Sequence, residues 1–272
     1  MHRWILSIVA AMTMVVAASA QTLYIPASAN VEGANQTRWR TDLQVKAQGG
    51  EPAAFTIELL ESRADNSNPI SLAYTLGADE SMRLDNVIDT EFGFTGTAAL
   101  RITATEGRIT ATSRTYNDDP GGTYGQTVPA VDAGGGIGMG DQTTLIQLSR
   151  SPDPSAGFRS NLGLVNLNDG STRAEIGLFK ADGSSIGTIS RTLKPFEHRQ
   201  FNDVFSIAGA TDVADGYAVV QTATAGGNFV AYASVVDNGS GDAVLILGRN
   251  DAPEPLATDQ RLVVFESLMR PG

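Results

Sequence analysis

Carboxylates are the most plentiful reactive groups in this chain, which holds 30 Asp and Glu, two His and no Cys. Two suitably spaced acids are all that glycoside hydrolysis requires. Asp85, Asp203, Asp212 and Asp215 fall near short connections, and Glu58 and Glu175 fall on segments that read as matching strands. So many acids make coincidental pairs unavoidable, and a carboxylate-based glycoside hydrolase stays an alternative that needs a converging pair in a cleft. His198 is the only histidine beyond residue 2. It stands where the first half of the chain has Ser81, an exchange expected of a surface position rather than a buried catalytic post. Gly183-Ser184-Ser185-Ile186-Gly187 fits G-x-S-x-G. That chemistry needs a strand-to-helix elbow and a histidine partner. Here the residues suit an ordinary turn between strands. No catalytic constellation emerges.

Oxygen-rich loops offer the one metal candidate, since calcium takes six to eight oxygen ligands. The candidates are Asp118 and Asp119 in the first half and Asp237, Asn238 and Asp242 in the second. The second loop lacks the alternating acids of an EF-hand, and turn chemistry explains the same residues. The glycines at 134–140 lack G-x-G-x-x-G spacing, and no helix is expected after them to present its N-terminus to a phosphate. Without cysteine there is no disulfide or thiolate site. Calcium apart, no cofactor is expected. Asn35-Gln36-Thr37 and Asn238-Gly239-Ser240 are formal glycosylation sequons.

The elements carrying these residues come in two sets. Trp39-Arg40-Thr41-Asp42-Leu43 matches Phe158-Arg159-Ser160-Asn161-Leu162, and Leu84–Ile88 matches Phe201–Phe205. Ile109–Asn117 matches Phe229–Asn238, which aligns Ser113 with Ser234. Order and spacing repeat at a period near 120 residues, the mark of an internal duplication. Each copy alternates apolar and polar residues with a period of two, as half-buried strands do. Asn86–Phe92 and Asp203–Ile207 have room for a short helical turn. Strands at this spacing predict two tandem antiparallel β-sandwich units of Ig-like or jelly-roll type. The expected boundaries are 21–118 and 142–272, joined by a flexible Gly-rich linker at 119–141. Trp39 and Phe158 are expected in the core, whereas Tyr24, Tyr116 and Tyr124 are candidates for exposure.

The ends add two expectations. Arg3, the apolar run Ile5–Ala17 and Ala18-Ser19-Ala20 read as a secretory signal cleaved near Ala20. The mature chain is then secreted or periplasmic, with no membrane span. Leu262-Val263-Val264-Phe265 repeats the opening strands Leu23–Ile25 and Leu145–Leu148. Such an extra strand pairs within its own molecule or adds to a neighbour's sheet edge, building head-to-tail oligomers; a monomer is the simpler expectation.

The phrases TLYIPASAN, WRTDLQV, TSRTYND, GTYGQ, FRSNLGLVN and ASVVDNGSGD occur in that order. They are similar to those of exported bacterial proteins with tandem β-sandwich units. The resemblance spans nearly all of the mature chain; it implies export and fold and carries no catalytic residues. A net charge of −11 disfavours nucleic acid and anionic lipid as partners. The expected function is therefore non-catalytic: an extracellular or periplasmic binding or structural module recognising a glycan or protein surface. Self-assembly through the last strand is the other alternative.

Overall fold

Alternation builds the first pair of sheets in the computed structural model, which describes residues 20–250. The strands are β1 (Thr22–Glu32), β2 (Arg38–Ala47), β3 (Ala53–Glu61), β4 (Ile70–Leu76) and β5 (Ser81–Leu84). A helical turn α1 (Val87–Thr90) precedes β6 (Gly96–Glu106), β7 (Ile109–Asp119) and β8 (Gly122–Pro129). Sheet one runs β4-β3-β6-β1 and sheet two runs β5-β2-β7-β8, all antiparallel. Leu43 and Val45 of β2, Phe55 and Ile57 of β3, and Leu100 and Ile102 of β6 close the core between them.

β1 joins the two sheets. It pairs with β6 as far as Asn30, then with β2 through Val31 and Glu32. A bulge between Ile25 and Ser28 interrupts the ladder. There Thr41 Oγ1 accepts from the Ala29 amide at 2.8 Å, and Thr115 Oγ1 donates to the Ala27 carbonyl at 3.2 Å. These hydroxyls satisfy backbone groups that the crossing strand leaves unpaired.

The second half has β11 (Gln142–Arg150), β12 (Phe158–Asn166), β13 (Thr172–Lys180), β14 (Ser185–Leu193) and β15 (His198–Phe201). After α2 (Val204–Ile207) come β16 (Val213–Thr222), β17 (Asn228–Asp237) and β18 (Ala243–Leu247). Sheet four, β14-β13-β16-β11, and sheet three, β15-β12-β17-β18, repeat the strand order of sheets one and two. Ser160 Oγ stands in for Thr41, bonding the Ser149 amide and carbonyl at 2.8 Å each. Asn86 and Asp203 begin the two helical turns with left-handed φ values of 47° and 49°. Leu43 pairs with Ser113 and Leu162 with Ala233, so the register counterpart of Ser113 is Ala233 rather than Ser234.

The segment 119–141 is built into the sheets, which corrects the expectation of a flexible linker. β8 completes sheet two, so the first unit runs to Pro129. β9 (Val131–Asp132) then pairs with β1, and β10 (Ile137–Gly138) with β17. Gly136 serves close approach: a Cβ there would lie 2.0 Å from Asn228 Oδ1. Residues 1–19 of the expected signal sequence and Leu262–Phe265 lie outside the described residues.

Sheets one and three face each other. Tyr24, Leu60 and Ala99 on the outer face of sheet one meet Val165 and Val230 on the outer face of sheet three. Sheet three is thus covered on both sides. Hydrogen bonds tie the halves as well, from the Arg63 amide to the His198 carbonyl and from Asn66 Nδ2 to the Phe196 carbonyl.

Candidate functional site

The contact between sheets one and three is apolar at one end and opens into a cleft at the other. The cleft encloses about 450 Å³, a size suited to a small organic ligand. Its floor is the outer face of sheet three, where period-two alternation places Arg159 and Asn161 of β12 and Gln200 of β15 on one side. Its opposite wall is the β1–β2 corner, with Trp39 at the start of β2. Trp39 shares the strand face of Leu43 and Val45, as its parity predicts, but the core has ended by its position. The indole is therefore half-buried on the cleft rather than a core anchor. Phe158, its counterpart, is 47 % exposed.

Arg159 has an unusual setting. Its Nη1 donates to Asn238 Oδ1 at 2.8 Å, and among the described residues it forms no ion pair. Burial presses its pKa below the usual arginine value, against the opposing attraction of Asp203 and Asp237. Both of those carboxylates are committed elsewhere. Asp203 takes Arg150 Nε on both oxygens at 3.0 Å and caps α2 at the Ser206 amide. Asp237 accepts from the Gly239 and Ser240 amides and the Ser240 hydroxyl, which hold its pKa below the usual carboxylate range.

The amides beside Arg159 are oriented by internal donors. Asn161 Oδ1 accepts the Asp203 amide at 3.0 Å. Gln126 Oε1 accepts the Ser234 hydroxyl at 3.0 Å. Gln200 bridges Tyr232, which donates to its Oε1 at 3.0 Å, and Asn202, whose Oδ1 takes its Nε2 at 2.8 Å. The Ser28 hydroxyl, on the cleft wall, is buried with no partner.

No family model matches this chain, and no curated protein matches it. Among solved structures, that of Thermotoga maritima 1070 aligns at a TM-score of 0.34 and 11 % identity, covering 41 % of this chain and 92 % of its own.

The other expected site residues scatter. Asp118 pairs with Arg40 at 3.0 Å, and Asp119 accepts the Gly121 amide. Asp242 accepts the Ala243 amide, and Asn238 is buried, donating to the Asp153 and Ala156 carbonyls. Among the described residues no three His, Asp or Glu side chains gather to hold a metal ion. Burial also closes the Asn238 sequon, while Asn35 is exposed. Of the candidate acids, Glu58 binds Arg101, Asp85 binds Arg83, and Glu175 lies 3.7 Å from Arg173. Ser185 starts β14 in a hairpin, without an elbow or histidine.

Two placements overturn expectation. His198 is 1 % exposed, not at the surface, because the first half covers sheet three. Its Nε2 lies 2.9 Å from Tyr232 Oη, and burial lowers its pKa to about 3. Tyr24 is buried in the same contact, whereas Tyr124 is exposed. The cleft residues were missed because Arg159 and Asn161 lie in a phrase that repeats a solvent-facing one. Their signal is an exchange of acids and amides: Asp42 becomes Asn161 and Asp118 becomes Asn238, while Asn86 becomes Asp203 and Asn117 becomes Asp237.

Proposed function

We propose that this chain is an exported, non-catalytic binding module, made by duplication of one sandwich unit, that holds a glycan in the cleft between its halves. The observation carrying the reading is the composition of the cleft: a half-buried indole opposite a floor of oriented amides and one guanidinium. Sugars present apolar ring faces beside hydroxyls, and an indole wall with directional amides matches both. The one carboxylate of the floor, Asp203, is held by Arg150 and by its helical cap, which suits binding better than proton transfer. Export rests on Arg3, Ile5–Ala17 and Ala18-Ser19-Ala20.

Trp39 is the only tryptophan beyond residue 4, so its emission reports on the cleft directly. Residues 21–272 are titrated with neutral and acidic di- to tetrasaccharides, following emission and heat. The expected result is saturable binding that shifts Trp39 emission and weakens in Trp39→Ala when read by heat. Absence of binding across the panel, or binding that leaves Trp39 and its variant unaffected, would remove the cleft as a glycan site.

A further inference from the structure

We infer that the cleft selects a saccharide bearing carboxylates, an oligomer of hexuronic acid. The inference rests on the glycan reading above and names the chemistry of its ligand. It follows from comparing sheet three with sheet two, whose outer face meets solvent.

On sheet two, Arg40 is neutralised by Asp118 at 3.0 Å, and Asp42 binds Arg83 at 2.8 Å while accepting the Asn86 amide at 3.0 Å. The register counterparts of Arg40, Asp42, Asp118 and Asn86 are Arg159, Asn161, Asn238 and Asp203. The bonds are kept. Arg159 still reaches residue 238, and residue 161 still accepts the amide at the start of the helical turn. Both carboxylates have become amides. An amide oxygen does the same accepting and leaves behind an NH₂ donor and no charge. The exchange moves the carboxylates rather than removing them: Asn86 and Asn117 have become Asp203 and Asp237, which Arg150 and the Gly239 and Ser240 amides hold, so Arg159 is left without an ion pair where the face is covered by a cleft instead of bulk water.

Besides Asp203, the floor of the cleft presents donors. Arg159 has Nε and Nη2 without protein acceptors, and Asn161 Nδ2, Asn202 Nδ2 and Gln126 Nε2 make no hydrogen bond, their oxygens being occupied. Glu32, exposed at the rim, and Asp203, held by Arg150, are the opposing charges. A planar carboxylate is the acceptor that a guanidinium and neighbouring amides hold best, in charge-assisted bonds about twice as strong as neutral ones. Trp39 across the cleft supplies the surface for the sugar ring, which a bare anion would not use.

The test varies the ligand before the protein. Residues 21–272 are titrated with tri- and tetrasaccharides of galacturonate and glucuronate, their methyl esters, the neutral galactose and glucose oligomers, and a glutamate tetrapeptide. Esterification keeps the ring and removes the charge. The expected result is uronate binding that weakens at least about tenfold on esterification, in the neutral oligomers and in Arg159→Gln. Arg159→Lys keeps the charge without the fork and should fall between. Equal binding of neutral and acidic oligomers overturns the carboxylate inference while leaving a glycan site. Binding of no saccharide overturns both readings. A glutamate peptide binding as tightly as the uronates makes the ligand an acidic protein segment and overturns the saccharide assignment.

Discussion

Sheets two and three have the same strand order and opposite surroundings. The outer face of sheet two carries Arg40–Asp118, Arg83–Asp42 and Lys46–Asp79 pairs in water. That of sheet three carries Val165, Val230, Tyr232 and His198 against the first half, then the donors of the cleft. One topology thus tolerates two outer faces: the inner faces build each core, and Tyr232 from the outer face of sheet three adds to that of the first half. The covered face is where polar groups become scarce and are oriented by internal hydrogen bonds.

The difference is tested most severely at Tyr232. Its ring lies across Gly163, where a Cβ would come within 1.9 Å, and its hydroxyl binds His198 and Gln200. Tyr232→Ala should cost about 3–5 kcal/mol, the range for deleting a buried aromatic ring. Thr112, the register counterpart on the open face, is exposed, and Thr112→Ala should stay within about 0.5 kcal/mol. Equal losses in urea unfolding would mean that sheet three is no better covered than sheet two.

Part of this contrast is legible in the chain itself. Ile109-Thr110-Ala111-Thr112-Ser113-Arg114 alternates, as a strand with one wet face does, whereas Phe229-Val230-Ala231-Tyr232-Ala233 has no polar residue. A continuous apolar run marks a strand buried on both faces. The strands, both helical turns and the hairpin at Asp182-Gly183 follow from periodicity and turn chemistry for the same local reasons. The cleft does not. Its residues come from strands of both halves, β1, β2, β8, β12, β15 and β17 among them, and which outer face is covered depends on how the halves pack. The exchange of Ser81 for His198 points to the surface only if both outer faces meet water. The glycines of 119–141 mislead similarly, since close approach and flexibility ask for the same residue.

Acid sharpens the comparison at His198. Its folded pKa, lowered to about 3 by burial, lies below the 6.5 expected of the unfolded chain. Between those values the unfolded state binds the extra proton. The contribution is therefore complete above pH 6.5 and lost as pH falls through the window. One proton is worth about 1.4 kcal/mol per pH unit, so about 2 kcal/mol should go between pH 7 and pH 5 beyond what His198→Gln loses. Ser81→His, on the exposed counterpart, should add no such slope. Chemical unfolding of the three proteins at both pH values measures this. Parallel losses in wild type and His198→Gln would show His198 protonating freely, hence a wet sheet contact.

The smallest effect on stability should accompany a large one on recognition. Asn161→Asp restores to the cleft the carboxylate that Asp42 provides on the open face, and its oxygen can still accept the Asp203 amide. Asn161 is half-buried at the cleft and Asp203 is already held by Arg150, so folding should change by no more than about 1 kcal/mol. The new charge faces Arg159 and any acid bound to it, and uronate binding should weaken at least about tenfold. Neutral oligosaccharides should be indifferent to it. If Asn161→Asp bound uronates as well as wild type does, the exchange of acids for amides would be a consequence of covering the face, and sheet three would differ from sheet two in packing alone.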